Sequence, residues 1–112
     1  MSNLEYKTAH AFNRRIIENF MDIVILRHIW RNQSTSGYDV IKFLHRKFHI
    51  LTSPGRIYSI LYSLERQSLI EGSMNQRKRV YSLTSKGEGL LRDTLLTRKH
   101  VNAVLFSIFS EF

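Results

Sequence analysis

Apolar residues recur at helical spacing early in the chain. Over residues 12–30 they repeat at intervals close to the period of one helix face. Residues 23–26 are apolar without interruption and by themselves would also fit a buried strand. The longer periodic context instead predicts one helix over residues 12–31, buried on more than one side. Residues 1–11 are polar and unpatterned, so we expect them to form a mobile N-terminal arm.

Two further helices follow, each with a capping signal at its start. Ser36 and Asp39 have the spacing of a capping box, in which each side chain accepts a hydrogen bond from the other residue's backbone N–H. They predict a helix over residues 37–48. Ser53 followed by a proline is typical of a helix N-terminus, because proline lacks an N–H that the first turn would leave unbonded. It predicts a helix over residues 54–67.

The hydrophobic period then shortens to two, which predicts short strands over residues 69–74 and 79–83. The polar turn between them has no glycine, but Asn75 tolerates the left-handed conformation. A last helix is predicted over residues 85–112. With 5 glycines and 1 proline, the chain lacks the frequent turns of barrels and sandwiches. The predicted fold class is mainly α with a small β hairpin: a winged helix-turn-helix followed by a long C-terminal dimerisation helix.

Length and charge narrow the function. The chain has 112 residues, enough for one domain with a single core. Its 17 Lys and Arg against 9 Asp and Glu give a net charge of +8, which favours a polyanionic partner such as nucleic acid or an anionic membrane surface. No helix pairs a basic face with a suitable apolar face, which disfavours the membrane. The absence of cysteines and of an apolar leader leads us to expect a cytoplasmic protein.

Catalysis and metal binding find little support in the sequence. No glycine-rich phosphate loop, paired carboxylates or recognisable nucleophile setting occurs, so we expect no enzyme activity and no cofactor. His45 and His49 are four residues apart, a spacing that suits a metal ion on a helix face. Arg46 and Lys47 lie between them and no third ligand is placed to complete a site, so we expect no bound metal.

Four short motifs follow one another along the chain. They are SGYDV at residues 36–40, SPGRIY at residues 53–58, LERQSLI at residues 64–70, and RVYSLT at residues 79–84 with a glycine at position 87. Together they resemble the motifs of the PadR-like winged-helix transcription regulators. The resemblance covers about residues 36–91, half of the chain. Because a single helix follows the wing, the chain resembles the compact branch of that family.

The resemblance implies a homodimer joined through its first and last helices. It also implies regulation of transcription, which in many such proteins is repression until a ligand or stress signal acts; no effector molecule is identified for this chain. Three positions depart from the family pattern, where Arg56 and Ser59 replace a small polar residue and a proline, and Ser68 replaces a glycine. Residues 56 and 59 lie on the face expected to meet DNA, so the family's DNA-sequence preferences do not carry over.

The helix over residues 54–67 is predicted to read DNA. A rotation of about 100° per residue puts Ile57, Leu61 and Leu64 on one side and leaves a polar face opposite. Arginine can donate two hydrogen bonds to guanine, and hydroxyl groups reach bases or phosphates; the alternative is an ordinary solvated face. Because the family resemblance includes an acid at this position, Glu65 is expected to form a salt bridge or a cap within the fold. The candidate DNA-binding residues here are Ser53, Arg56, Tyr58, Ser59, Tyr62, Ser63 and Arg66.

Further DNA contacts are predicted from the hairpin and from the helix that precedes the reading helix. Arg77, Lys78 and Arg79 would clamp phosphates or the minor groove. Alternatively they form a basic solvated loop, with Arg79 packed against the hairpin. Tyr38 and Lys42 are placed to touch phosphates, and for Tyr38 the alternative is packing over the reading helix.

The last helix carries a longer apolar stripe than a domain of this size needs for its own core. The stripe packs either on its own domain or against a second subunit, and left exposed it would promote aggregation. We expect residues 85–112 to pack with residues 12–31 of a partner subunit, which leaves residues 12–84 as the DNA-binding domain. The predicted dimer interface consists of Ile16, Phe20, Val101, Val104, Leu105, Ile108, Phe109 and Phe112.

These features predict a homodimeric, sequence-specific DNA-binding regulator of transcription that acts as a repressor. A two-fold dimer presents two reading helices about one duplex turn apart, which implies a near-palindromic site in double-stranded DNA. Two alternatives stay open: a sequence-independent architectural DNA-binding protein, and a winged helix that docks on an acidic protein. Trp30, the single tryptophan, is expected to pack in the core rather than to line a pocket for planar molecules.

Overall fold

The computed structural model describes residues 1–110, which contain six α-helices and one two-stranded antiparallel sheet. The predicted mainly helical fold, with a helix-turn-helix followed by a hairpin, is confirmed. In chain order the elements are α1 (Asn3–Asn19), α2 (Met21–Asn32), α3 (Gly37–Phe48), α4 (Pro54–Arg66), β1 (Ile70–Asn75), β2 (Lys78–Leu83), α5 (Ser85–Leu96) and α6 (Arg98–Ile108).

The N-terminal segment differs from the prediction. Residues 3–19 form α1, so the expected mobile arm over residues 1–11 is wrong. Ser2 caps this helix by accepting a hydrogen bond from the Glu5 N–H at 3.1 Å, and the three-residue spacing of these two residues was the available sequence signal. None of the residues of α1 is buried in this chain, which explains why its first half carries no hydrophobic period.

The predicted helix over residues 12–31 is divided in two at Phe20. The N–H of Phe20 is shared between the carbonyls of Ile16 and Ile17, and Phe20 is the one residue between the end of α1 and the start of α2. Of the two helices, α2 belongs to the core and is covered by its own subunit. Most of the apolar side chains that the predicted partner-contacting segment leaves exposed therefore lie on α1 and at Phe20, with Trp30 exposed on α2. The buried residues of α2 are Met21, Ile25, Leu26 and Ile29.

The core lies where α2, α3 and α4 meet the hairpin and α5. The helices α3 and α4 contribute the stripes that their apolar spacing predicts, whereas α2 buries a different stripe from the one predicted through Phe20 and Trp30. Tyr81 of β2 and Leu91 of α5 close the cluster. Complete burial of one such aliphatic side chain contributes about 1.5–3 kcal/mol. The core is therefore the main source of stability for the helix-turn-helix. Its fully buried members on α3 and α4 are Val40, Leu44, Ile57 and Leu61.

The helix-turn-helix is built by side-chain caps. Ser36 Oγ accepts from the Asp39 N–H at 3.1 Å and Asp39 Oδ2 accepts from the Ser36 N–H at 3.2 Å, so the predicted capping box of α3 is confirmed. Ser53 Oγ accepts from the Arg56 N–H at 3.2 Å and starts α4. Between the two helices, His49 ends α3 in the left-handed conformation, with φ of 57°.

The hairpin pairs along its whole length, with Asn75 opposite Lys78 at the turn. The turn residues Gln76 and Arg77 have φ of 52° and 68°, so the left-handed conformation falls on these two residues and not on Asn75. Positive φ at both central positions gives a two-residue turn whose twist matches that of the strands. The turn therefore presents Arg77 at the tip of the wing.

The predicted single C-terminal helix is two helices. Thr84 Oγ1 caps α5 by accepting from the Gly87 N–H at 3.0 Å, and α5 ends at Leu96. Thr97 separates it from α6, which buries none of its described side chains in this chain. Phe112, one of the predicted interface residues, lies outside the described residues.

Trp30 differs from its predicted place in the core. Its side chain is 52% exposed at the end of α2, where it lies beside Glu88 and Leu95 of α5. The buried side of α2 is already filled by Ile25 and Ile29, which share a helix face that Trp30 does not.

Two glycines of α5 give a matched test of the packing between this helix and the start of the hairpin. A Cβ at Gly87 would overlap the carbonyl oxygen of Leu69, a backbone atom already bonded to the Thr84 N–H. We expect Gly87→Ala to lower the free energy of unfolding by at least about 2 kcal/mol. Gly89 has open space around its Cβ position, so Gly89→Ala should raise that free energy by about 0.5–1 kcal/mol. Urea unfolding followed by circular dichroism measures both, and equal effects would contradict the close approach at Gly87.

Candidate nucleic-acid interface

The buried stripe of α4 sets which side of this helix faces outward. Ile57, Leu61 and Leu64 are at most 2% exposed, because they fill the core against α2 and α3. The opposite side is polar, and none of its side chains is acidic. We call it the outer strip of α4, and it consists of Arg56, Ser59, Tyr62, Ser63 and Arg66.

The middle of the outer strip carries both an aromatic ring and a cation. The Arg66 guanidinium lies 5.1 Å from the centre of the Tyr62 ring, and Tyr62 is 62% exposed. Such stacking leaves the guanidinium edge available to an outside acceptor. Ser63 is half-buried and its Oγ accepts from the Gln67 side chain at 3.1 Å, so this hydroxyl is engaged within the helix. Ser59 is exposed one turn before Ser63.

The two edges of the outer strip have different neighbours. On one edge, Tyr58 packs against Gly37 at the start of α3, where a Cβ would lie 2.5 Å from the Tyr58 ring. A larger residue at position 37 would therefore displace the Tyr58 ring. On the other edge, Arg56 lies beside Glu18 and Asp22 at the junction of α1 and α2. Within residues 1–110, Arg56 forms no ion pair with either acid.

The start of α3 adds a second cation and ring. Lys42 Nζ lies 4.9 Å from the centre of the Tyr38 ring, and Tyr38 is largely exposed. The contact with α4 that the sequence allowed for Tyr38 is made by Tyr58 instead. Tyr38 and Lys42 therefore stand at the surface, at the same end of α3 as Gly37.

The three basic residues of the wing differ in their partners. Arg77 is exposed at the turn and forms no ion pair within the described residues. Lys78 Nζ lies 3.7 Å from Asp39 Oδ2, and Arg79 Nη2 lies 2.6 Å from Glu65 Oε2. The predicted salt bridge of Glu65 is thus confirmed, and Arg79 is the least available of the three to an outside partner.

Asp39 joins the start of α3 to the wing. Its partial burial acts to raise the pKa of its carboxyl, but the hydrogen bonds with Ser36 and the charges of Lys78 and Lys42 outweigh burial. The pKa of Asp39 is therefore lower than usual for an aspartate. The carboxylate stays charged at neutral pH, where it caps α3 and holds Lys78 beside it.

His28 stacks on Phe43 across the contact between α2 and α3, with 4.0 Å between ring centres. Burial is the main cause that lowers the pKa of His28; Asp39 opposes the shift and Arg46 adds to it. The ring is neutral at pH 7, and its Nδ1 lies 3.2 Å from the Asn32 amide nitrogen. The stack of His28 on Phe43, which joins α2 to α3, therefore adds no positive charge to the exposed side of α3.

The exposed cations and hydroxyls of α3, α4 and the wing suit a rigid polyanion. Arginine and lysine neutralise phosphates, and a protruding helix fits the major groove of duplex DNA. No three His, Asp or Glu side chains of residues 1–110 converge as a metal site would require. In the same range, no helix is both long enough and apolar enough to cross a bilayer.

A second surface is apolar and lies between α1 and α6. Phe109 contacts Phe12 edge-on with 5.4 Å between ring centres, and Leu105 is half-buried beside them. Around this contact, the apolar side chains remain largely in solvent in the single chain. Those predicted for the dimer interface and exposed here are Phe20, Val101, Val104, Ile108 and Phe109.

The family of the chain follows from its middle section. Residues 25–93 match the model of the transcriptional regulator PadR-like family, and this stretch contains α3, α4, the hairpin and most of α5. The match covers more than half of the chain. The chain belongs to the PadR-like family. It is therefore a DNA-binding regulator of transcription and not an enzyme, as its sequence predicted.

Solved structures share the fold of this PadR-like chain. A PadR-like transcriptional regulator from Bacillus cereus superposes with a TM-score of 0.76 at 20% identity, covering 88% of this chain and 99% of that one. A PadR family transcriptional regulator from Eggerthella lenta has a TM-score of 0.73 at 15% identity, and the match covers 99% of this chain and 100% of that one. A putative transcriptional regulator from Thermoplasma acidophilum has a TM-score of 0.71 at 20% identity, covering 88% of this chain and 98% of that one. No curated protein matches the sequence.

Sequence reasoning missed one functional contact of this PadR-like chain and described another only in part. The ion pair between Asp39 and Lys78 joins residues far apart in sequence, and the capping box alone already explained Asp39. For Glu65 a salt bridge was expected, but its partner was not identified. Pairing across two elements leaves no local spacing signal, so only the folded structure shows it.

The charge of Asp39 gives a pH-dependent test of the link between α3 and the wing. We expect Asp39→Asn to lower the free energy of unfolding at neutral pH by about 0.5–1 kcal/mol, because the ion pair with Lys78 needs the carboxylate and a charged acceptor is favoured in the first turn of α3. Since the folded-state pKa is depressed, the difference from the unaltered protein is present above the ordinary aspartate pKa. It is lost as pH falls through the folded-state value.

Urea unfolding over a pH series measures this difference. Asp22→Asn is the matched control, since Asp22 also lies in the first turn of a helix but forms no ion pair within residues 1–110. Equal losses for the two variants at neutral pH would show that Lys78 contributes nothing.

Proposed function

We propose that this PadR-like chain is a homodimer that binds a specific, near-palindromic site in double-stranded DNA and represses transcription there. The outer strip of α4 reads bases in the major groove, and the wing binds the phosphates beside it. The two-fold dimer sets the separation of the two half-sites. Repression follows if the occupied site excludes the polymerase from a promoter, and it agrees with what the family resemblance implies.

The proposal rests on one observation, which is that the outer strip of α4 is exposed and contains no acidic side chain. The strip presents donors that suit base edges, namely the guanidinium groups of Arg56 and Arg66 and the hydroxyl of Ser59. It projects from a helix whose other side is fully packed, so its geometry is held before DNA arrives. Arg77 and Lys78 stand on the adjoining hairpin, where a phosphate backbone would pass.

The apolar surface between α1 and α6 supports dimerisation. Neither helix buries a described residue in the single chain, although both carry large apolar side chains. The radius of gyration is 15.8 Å, whereas a compact chain of this length measures about 13 Å. The excess reflects helices that project from the core and expose a face which a second subunit would cover.

A two-fold axis through this face accounts for a symmetrical DNA site. Each subunit contributes one α4, and one duplex turn separates the half-sites that two such helices contact. A sequence-independent architectural protein would use the same basic surface but would need no base contacts. The two hypotheses therefore differ in how strongly the protein prefers one duplex over another.

Fluorescence anisotropy on two duplexes tests base reading. A duplex from upstream of the protein's own gene is compared with a random duplex over a salt series, and we expect a preference above about a thousandfold. Arg56→Ala should cost about 1–3 kcal/mol on the preferred duplex and little on the random one. Lys78→Ala should weaken both alike and reduce the salt slope by about one.

The two variants act as each other's control, because both remove one positive charge from the surface. Equal losses for Arg56→Ala on both duplexes would remove its base-reading role. If both duplexes bind equally, and a duplex selected by the protein from a randomised library also binds no more tightly than a random one, the architectural hypothesis is favoured. Failure to bind any duplex would favour docking on an acidic protein.

Sedimentation equilibrium tests the dimer. The unaltered protein should show twice its chain mass of 13.3 kDa at micromolar concentration. Val104→Glu and Ile108→Glu should each shift it to the monomer, because a charge buried in an apolar interface is costly. Leu51→Glu is the control: Leu51 is 69% exposed, like Ile108 at 65%, but lies in the connection between α3 and α4. A monomeric mass for the unaltered protein would refute the dimer.

A further inference from the structure

One carboxylate connects α4 to the wing. Glu65 Oε2 lies 2.6 Å from Arg79 Nη2, and the same oxygen accepts a hydrogen bond from the Gly72 N–H at 3.3 Å. Gly72 belongs to β1 and Arg79 to β2, so one side chain of α4 holds both strands. A side chain that binds a cation and a backbone N–H together restrains both the distance and the rotation between the elements.

Gly72 makes this arrangement possible by having no side chain. The guanidinium of Arg79 lies over the position where a Cβ would stand, with Nη2 only 2.6 Å from it. Arg79 lies on the same strand face as Tyr81, because side chains two residues apart on a strand point the same way. Tyr81 is buried in the core, so Arg79 is directed towards α4 and not away from the domain.

We propose that Glu65 and Arg79 are a positioning pair that sets the spacing between the base-reading face of α4 and the phosphate-binding tip of the wing. The inference rests on the proposed function. In it, Arg79 does not bind DNA; it holds the wing so that Arg77 and Lys78 reach the backbone while the outer strip of α4 lies in the groove. The pair therefore determines how well base and phosphate contacts are made together, and so the preference for the correct site.

A direct phosphate contact by Arg79 makes the opposite prediction. If Arg79 bound phosphate, Glu65 would compete with the DNA for it, and separating the two would strengthen binding to every duplex. If Arg79 positions the wing, separating the two weakens binding to the preferred duplex, because the wing still reaches phosphates but no longer does so while α4 is seated against the bases. Arg79 itself contributes no phosphate contact in this case, so the salt slope stays the same. The sign of the effect and the salt slope both distinguish these roles.

Two variants separate the pair without changing the net charge of the protein. Gly72→Ala displaces the flexible end of Arg79 from Glu65 and keeps both charged groups. The double variant Glu65→Gln/Arg79→Gln removes both charges at once. Gly89→Ala is the matched control, because it adds the same methyl group where nothing lies within 4 Å. Anisotropy titrations use a duplex selected by the protein from a randomised library and a random duplex, each over a salt series.

We expect Gly72→Ala and the double variant each to reduce the ratio of selected to random affinity by about fivefold, with the salt slope unchanged. Gly89→Ala should leave the ratio as it is. Arg79→Gln alone should match the double variant, because the two residues act as one unit. If Gly72→Ala does not fold, which circular dichroism shows, the double variant decides the outcome.

Two results would overturn the inference while leaving the proposed function intact. One is an unchanged or higher ratio in Gly72→Ala and the double variant. The other is a loss with Arg79→Gln on both duplexes together with a salt slope reduced by about 0.9, which identifies Arg79 as a phosphate contact. If the unaltered protein shows no preference among selected and random duplexes, the proposed function and this inference both fall.

Discussion

Burial of the apolar stripe of α4 is the constraint on which the rest of the molecule depends. Ile57, Leu61 and Leu64 are removed almost completely from water, and rotating α4 by a fraction of a turn would expose them. Each such side chain is worth about 1.5–3 kcal/mol, so the hydrophobic effect fixes the rotation of the helix about its axis. The direction of the outer strip is a consequence of that burial, not of any contact that the strip itself makes.

Close approach at glycines then fixes the neighbours of α4. Tyr58 packs on Gly37 at one end of α3, and the guanidinium of Arg79 crosses Gly72 to reach Glu65. In both places an added Cβ would occupy space that a functional or positioning side chain already fills. The helix-turn-helix and the wing are therefore held at short range on the same edge of α4, and the distance between them is set by packing as well as by charge.

Residues 1–110 build one core and leave a second apolar surface exposed among themselves. The core uses α2, α3, α4, the hairpin and α5, whereas α1 and α6 contribute exposed apolar faces to either side of the Phe12–Phe109 contact. A domain of this size buries only a modest share of its surface by itself. Cover by a second subunit would remove that surface from water and would at the same time set the separation of two reading helices. Stability and DNA-site geometry are thus expected to depend on one interface.

The sequence by itself determined the elements whose signals are local. Capping residues and apolar period located α3, α4 and the hairpin, and ordered motifs identified the family, because each signal spans only a few residues. The tertiary structure decided what depends on distant parts of the chain: the break at Phe20, the helical state of residues 3–19, the exposure of Trp30 and the pairing of Glu65 with Arg79. A helix with no buried face lacks the hydrophobic period from which a helix is predicted. An ion pair between two separate elements joins residues whose distance along the sequence follows no rule. Both are settled only when the folded chain decides which surfaces meet.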